Sequence, residues 1–160
     1  MIVISDTSPI TNLIKIGRLG LLRKIYPKIY IPKAVYDELL SWDYDGFEPS
    51  EIDAKWVEVC TVKDEVLLAQ LKLELDPGEA EAIALAKEIR ADFLLIDERK
   101  GWKIAKDQGI NAIGLIGVLL KAKKMSLITE VMPLVDDLRM KAGFWLSEDF
   151  YLWIRQAVKE

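Results

Sequence analysis

The stretch Phe93-Leu94-Leu95-Ile96-Asp97 consists of four apolar residues followed by an acid. A short, wholly apolar run of this kind is typical of a strand that is buried on both faces of a parallel sheet. The start of the chain, Ile2-Val3-Ile4-Ser5-Asp6, has a similar pattern. Ligands of open parallel sheets bind beyond the carboxyl ends of the strands, so we expect Asp6 and Asp97 to lie at one edge of the sheet.

The remaining chain alternates between predicted strands and helices. Further strands are predicted at Lys28 to Ile31, Trp56 to Val59 and Ala112 to Ile113. A strong alanine-rich helix is predicted from Asp76 to about Arg90. This alternation predicts a single α/β domain over residues 1–160, with a central parallel sheet flanked by helices. We place its core at about residues 1–127 and a helical C-terminal tail at about 128–160.

Composition limits the chemistry that the chain can carry. Its 160 residues include no histidine and one cysteine, Cys60. These counts exclude Ser-His-Asp and Cys-His catalysis, His-ligated zinc and thiolate metal sites. Acid–base and metal chemistry would have to come from carboxylates, lysines, hydroxyls and bound ions. Oxygen ligands favour hard cations such as Mg²⁺ or Mn²⁺.

The expected cellular location and the net charge of the chain limit the kinds of partner that it can bind. No apolar run approaches the ~20 residues of a membrane span, and the N-terminus does not resemble a signal peptide. We therefore expect a cytoplasmic protein without membrane contact. The net charge is −4, so nucleic-acid binding would need a local basic patch or a bridging metal. Arg99, Lys100 and Lys103 could form such a patch on RNA, or they could be a solvated helix face.

Helical spacing brings further acids toward the predicted core. Glu79 shares one helix face with Ile83 and Ala86, so it should extend the face that packs on the sheet. Glu81 lies on the side of Leu85 and is expected to be more exposed.

Glu38 likewise lies beside the apolar stripe of the helix that begins at Pro32. Two carboxylates ~4 Å apart repel each other by roughly 4 kcal/mol at an effective dielectric near 20. A divalent cation turns this repulsion into attraction and can polarise a phosphate.

Each acid also has a purely structural explanation. The segment Asp76-Pro77-Gly78-Glu79 has the spacing of a capping box. Asp6 and Asp97 could each cap the helix that follows them. Glu38 could pair with Lys33. From the residues alone, both explanations stay open at each position.

Four segments resemble PIN-domain proteins and follow one another in that family's order. They are Ile2 to Pro9, Ile31 to Leu39, Leu75 to Ala86 and Leu94 to Gly101, and the resemblance runs from Met1 to about Leu127. It implies a Rossmann-like sheet, an acidic pocket and a metal-dependent ribonuclease activity. The segment Leu94 to Gly101, with Gly114 to Ala122 after it, resembles the motif block of one prokaryotic PIN subfamily that is related to VapC-type toxin ribonucleases.

Carried over by position, the resemblance makes four acids both catalytic and metal-binding: Asp6, Glu38, Glu79 and Asp97. They would hold one or two Mg²⁺ or Mn²⁺ ions, and Glu38 or Asp97 would orient the attacking water. Ser8 matches a hydroxyl position that helps to hold the metal or its waters. Glu98 competes with Asp97 for the fourth position, and Glu81 is the substitute for Glu79.

The expected partners are an RNA substrate, a second copy in a homodimer and, for a toxin, an antitoxin protein. The tail is unusually aromatic, with Phe144, Trp145, Tyr151 and Trp153. We expect these residues to pack the last helices onto the core, or else to bind an antitoxin or a second subunit. The alternative function is a catalytically weak or inactive PIN-fold module that acts by binding protein or RNA.

Overall fold

Five short strands form one parallel sheet. The computed structural model describes all 160 residues. The strands are β1 (Val3–Ser5), β2 (Ile29–Pro32), β3 (Val57–Cys60), β4 (Phe93–Leu95) and β5 (Ala112–Ile113). Their order in the sheet is β3-β2-β1-β4-β5, and every neighbouring pair is parallel. The predicted α/β domain with a central parallel sheet is confirmed.

Nine α-helices and one 3-10 helix connect and cover these strands. They are α1 (Thr7–Lys15), α2 (Leu19–Ile25), α3 (Lys33–Ser41), a 3-10 helix (Pro49–Ile52), α4 (Glu65–Lys72), α5 (Pro77–Glu88), α6 (Arg99–Asp107), α7 (Leu115–Lys124), α8 (Met132–Lys141) and α9 (Glu148–Val158). Capping side chains mark where some helices begin. At the start of α9, for example, the Ser147 hydroxyl accepts a hydrogen bond from the N–H of Phe150. No helix combines the length and apolar character needed to cross a membrane.

The strand order reverses beside β1. The chain builds β2 and β3 on one side of β1, then crosses to build β4 and β5 on the other. Ser5 is in register with Leu95, so the ends of β1 and β4 lie side by side. This reversal is the switch point at which open α/β sheets bind ligands.

Two apolar clusters lie on opposite faces of the sheet. Val3 and Leu95 belong to the larger cluster, whereas their neighbours Ile4 and Leu94 belong to the smaller one. The alternation follows from the two-residue period of a strand. Helix α5 packs in the smaller cluster, and α8 and α9 pack in the larger one. The C-terminal helices therefore complete the core rather than extend from it.

One expectation about α5 is wrong. We expected Glu81, on the side of Leu85, to be more exposed than Glu79, yet both acids are half-buried and Leu85 is buried. Helices α3 and α4 pack against this side. The Glu81 carboxylate accepts a hydrogen bond from the N–H of Ala34, with 3.1 Å between the two atoms. Helix α5 is therefore covered on more than its sheet-facing side.

The packing of α5 can be tested with a truncation. Ile83 is fully buried in the smaller cluster. We expect Ile83→Ala to lower the free energy of unfolding by about 2–5 kcal/mol, because a cavity replaces the lost side chain. Urea denaturation measures the change. The matched control is Val66→Ala on α4, where the side chain is 73% exposed, and its effect should stay within about 0.5 kcal/mol. Equal losses in the two variants would contradict this placement of α5.

Candidate active site

Asp6 and Asp97 leave the two central strands at the same edge of the sheet. Asp6 is only 5% exposed, and its N–H donates a hydrogen bond to the carbonyl of Leu95 at 2.9 Å. Ile96 donates to the carbonyl of Ile113 at 3.0 Å, which holds the chain just before Asp97. The two acids thus lie at one edge of the sheet, as the strand pattern led us to expect, and backbone hydrogen bonds anchor the chain at both.

One oxygen of Asp97 has a partner and the other has none. Oδ1 accepts a hydrogen bond of 2.7 Å from the N–H of Leu115, so Asp97 caps α7 and not the helix that follows it in sequence. Oδ2 is buried without a hydrogen-bond partner. Burial raises the pKa of this carboxyl to about 6, although the N–H of Leu115 lowers it. A buried oxygen without a partner is costly, and it is available to a cation or ligand.

Glu38 reaches the same edge from α3. The hydroxyl of Thr7 donates a hydrogen bond to its Oε2 atom. The alternative pairing with Lys33 is wrong, because Lys33 binds Asp37 at 3.2 Å. Thr7 therefore contacts one of the acids through its hydroxyl group. This contact was not predicted from the sequence. Ser8 is half-buried in the first turn of α1.

Asp76 and Glu79 lie at the start of α5. Asp76 caps the helix, since its Oδ1 atom accepts from the N–H of Glu79 at 2.9 Å. The Glu79 side chain does not complete a capping box and instead lies against Gly101 of α6. The sequence analysis treated Asp76 only as a cap and missed it as a further acid of the site. The available signal was two acids, three residues apart, at a helix start beside the core.

Three of the four predicted acids lie against a glycine. A Cβ atom on Gly78, Gly101 or Gly114 would meet Glu38 Oε1 at 2.7 Å, Glu79 Oε2 at 2.9 Å or Asp97 Oδ1 at 3.0 Å, respectively. Side chains at these three positions would push into the carboxylates. The glycines therefore allow the acids to approach one another, and the sequence analysis did not identify them in this role.

The buried carboxyl of Asp6 is strongly perturbed. Burial, together with the nearby charges of Asp76, Glu38 and Asp97, raises its pKa to about 7. The N–H of Thr7 is close enough to lower the pKa, but it does not form a capping hydrogen bond with the side chain. Capping of α1 consequently does not explain this acid.

Glu79 carries the largest shift in the site. Burial raises its pKa to about 9, and a hydrogen bond with the side chain of Asp76 favours the protonated form. The negative charges of Asp76, Asp6 and Glu98 act in the same direction. Asp6, Glu38, Glu79 and Asp97 are therefore joined by Asp76 and Glu98 in one acid cluster, which we call the acidic site. Groups with such perturbed pKa values in a cleft are typical of functional sites.

The acidic site suits a hard divalent cation in its chemistry. All of its side-chain donors are oxygens, they repel one another, and Asp97 Oδ2 has no partner. No three of the acids are close enough together to enclose an ion. Binding a cation would therefore require the side chains to move closer.

The secondary candidates lie around this site. Glu98 is exposed at the start of α6, close enough to affect Glu79. Glu81 is directed elsewhere, because its carboxylate caps α3 through Ala34. Helix α6 carries three exposed cationic side chains in its first two turns: Arg99, Lys100 and Lys103. Arg99 lines a groove together with Asp97.

A family model described as a PIN domain matches residues 2–160. The chain belongs to the PIN-domain family. The match includes α8 and α9, so these helices lie within the family's extent. PIN domains are generally nucleases, which supports a hydrolase at a coarse level. No curated protein matches this PIN domain.

The perturbed acids predict how the stability of the PIN domain depends on pH. Their pKa values rise from about 4 to about 6, 7 and 9, so the folded state binds more protons than the unfolded state in this window. The free energy of unfolding must then fall as pH rises from about 4 to 9. In EDTA, we expect Asp6→Asn to raise the melting temperature at pH 8, with the gain shrinking toward pH 4. Circular dichroism measures both.

The matched control for this prediction is Asp37→Asn. Asp37 is an exposed acid on α3 that pairs with Lys33, and exposed pairs contribute about 0–1 kcal/mol. Its substitution should change the melting temperature little at either pH. An Asp6→Asn protein that melts no higher than the wild type at pH 8 would show that the acids do not repel one another as described.

Proposed function

We propose that this PIN domain is a metal-dependent endoribonuclease. In this proposal Asp6, Glu38, Glu79 and Asp97 hold one or two Mg²⁺ or Mn²⁺ ions and cleave phosphodiester bonds in RNA. The observation that carries the proposal is the convergence of buried Asp6 with half-buried carboxylates at the switch point of the sheet, where their pKa values are raised. The absence of histidine leaves these acids as the available acid–base groups.

The side chains have distinct parts in this proposal. Asp6 and the unpartnered Oδ2 atom of Asp97 are the central ligands, and Glu38 and Glu79 approach from their helices. A bound divalent ion supplies Lewis-acid activation of a phosphate and stabilises negative charge. Thr7 holds the carboxylate of Glu38 in place. The glycines at the three acids keep the space that these carboxylates need.

Proton transfer falls to the same carboxylates. The pKa of Asp97 is about 6 and that of Asp6 is about 7, so both groups titrate near neutral pH. Displacement of these protons by a bound cation would leave the carboxylates free to accept a hydrogen bond from a water. Glu38 or Asp97 would orient the attacking water and accept its proton. Arg99, Lys100 and Lys103 would contact the RNA backbone, because they follow Asp97 directly and are exposed.

Two neighbouring acids on α5 test this assignment. With Mn²⁺ present, we expect the protein to cleave a labelled single-stranded RNA and Glu79→Gln to lower the rate by about 100-fold or more. Glu81→Gln is the matched control, because Glu81 is two residues away on the same helix but binds the N–H of Ala34. It should retain activity within about threefold, since it removes no ligand or proton-transfer group. Gel electrophoresis of the RNA products gives both rates.

Two results would count against the nuclease proposal. One is a wild-type protein whose melting temperature rises with Mn²⁺ while its RNA stays intact. The other is an equal loss of activity in the Glu79 and Glu81 variants. That result would mean that Glu79 contributes no more to catalysis than an acid outside the site.

The second candidate function is the binding of protein or RNA by a catalytically weak or inactive PIN domain. The observation that favours it is the spacing of the acids, since no three of them enclose an ion. In that case Mn²⁺ should leave the melting temperature of the wild type unchanged. Asp6→Asn should also leave RNA or protein binding unaltered.

The toxin role is a further part of the proposal, and it rests on the resemblance to VapC-type ribonucleases. We expect expression of the wild type in a bacterial host to arrest growth, whereas Asp6→Asn should not, because it removes a central ligand. Growth curves after induction measure the difference. Equal growth of the two strains would remove the toxin role but leave the nuclease proposal intact. The antitoxin and the homodimer stay predictions.

A further inference from the structure

An aromatic groove opens directly beside Asp97. Its volume is about 570 Å³, and it is bounded by the starts of α6 and α7 and by the segment that leads into α9. Five aromatic side chains line it: Trp102, Phe144, Trp145, Phe150 and Trp153. Asp97 is itself part of the lining, so the groove is continuous with the acidic site.

Several of these rings do not pack into the core. Trp145 is 81% exposed and Trp153 is 54% exposed. The rings of Phe150 and Trp153 stack on each other, with 5.8 Å between their centroids and an interplanar angle of 18°. The expectation that the tail aromatics pack the last helices onto the core holds for Phe144 and Tyr151, but it is wrong for Trp145 and Trp153. Exposed flat rings in a groove are available to a ligand.

Cationic side chains accompany the rings. Arg99 lines the groove, and Lys106 lies 4.6 Å from the centroid of the Trp102 ring. Lys103 is exposed on the same helix. Aromatic faces beside Arg and Lys are the combination that binds single-stranded nucleic acid, in which bases stack and phosphates meet cations.

The polar groups in the lining favour a nucleotide over an apolar protein segment. An apolar segment in the groove would cover Asp97 and Arg99 without giving either a partner, which is costly. A nucleotide gives Arg99 a phosphate to bind and offers the rings a flat base. Gly114 and Gly117 also line the groove, and their missing side chains leave room close to Asp97.

We propose that this groove is a subsite for one unpaired base of the RNA substrate. The base stacks on the exposed tryptophans, Arg99 binds an adjoining phosphate, and the chain continues toward the acidic site. The inference rests on the proposed ribonuclease function, which it deepens by giving one base of the substrate a binding position. A base held in a duplex cannot enter the groove, because its faces are already stacked on neighbouring pairs.

Binding of three probes tests the subsite. The probes are a fluorescein-labelled, unstructured ten-nucleotide RNA, the same strand paired with its complement, and an abasic ribose-phosphate strand of equal length. Fluorescence anisotropy is measured with Mn²⁺ in the Asp6→Asn protein, which blocks cleavage. Adding Trp153→Ala should weaken binding of the single strand about fivefold or more, since one stacked base is lost. Binding of the duplex and the abasic strand should not change.

The chain offers a matched control and a conservative replacement. Leu152 comes immediately before Trp153 on α9 and is 49% exposed, but it does not line the groove. Leu152→Ala should leave all three dissociation constants within about twofold, as expected for a surface change away from the contact. Trp153→Phe should restore most of the single-strand affinity because it keeps an aromatic face. If Trp153→Ala does not fold, Trp145→Ala at the more exposed position replaces it.

Three outcomes would overturn the subsite. The first is an unchanged single-strand affinity in the Trp153→Ala and Trp145→Ala proteins. The second is an equal loss for the single strand and the abasic strand, which would mean that the backbone alone is bound. The third is a dimer that Trp153→Ala converts to monomer without a change in RNA affinity, which would make the groove an interface between two copies.

The subsite and the ribonuclease proposal can fail separately. A wild type that cleaves RNA with Mn²⁺, but whose tryptophan variants bind RNA normally, keeps the proposed function and refutes the subsite. A wild type that binds single strands through their bases but cleaves nothing keeps the subsite and refutes the nuclease.

Discussion

This PIN domain depends on one constraint: its carboxyls are confined together at the edge of the sheet, where burial first and neighbouring charges second oppose their ionisation. Asp6 is fixed to the end of β4 by its backbone N–H, and Asp97 is fixed by α7, so neither can retreat into solvent. Burial and the neighbouring acids raise the pKa of Asp6 to about 7, so ionising it costs free energy. The two apolar clusters supply the stability that holds the strands together against this cost. A retained proton or a bound cation would offset this cost.

Much of the fold could be predicted because its strands are short, apolar and buried. Phe93 to Ile96 cannot be an amphipathic surface helix, and the acid after it marks the end of the strand. Helix α5 was equally clear from Pro77 and its alanines. The side of α5 near Glu81 was predicted incorrectly, because helical spacing shows which residues share a side but not which helices pack against it. That information comes from α3 and α4, which are distant in sequence.

The candidate site was predictable in part for the same reason. The carboxyl-edge rule brought Asp6 and Asp97 together, and helical phase directed Glu79 toward them. Contacts between distant segments were not predictable: Thr7 holds Glu38, and Gly101 makes room for Glu79. Nothing in the local sequence specifies such a meeting. The family match then adds what the spacing of residues cannot give, namely that proteins with this fold are generally nucleases.

We propose that a divalent cation replaces the protons that these crowded, partly buried carboxyls hold near neutral pH. Because the pKa values of Asp6 and Glu79 are about 7 and about 9, Mn²⁺ must displace protons when it binds at pH 6.5. Calorimetric titration in buffers of different ionisation enthalpy counts the protons released. We expect net proton release that becomes smaller at pH 9 and in the Asp6→Asn protein. Binding without proton release, or no binding at all, would contradict it.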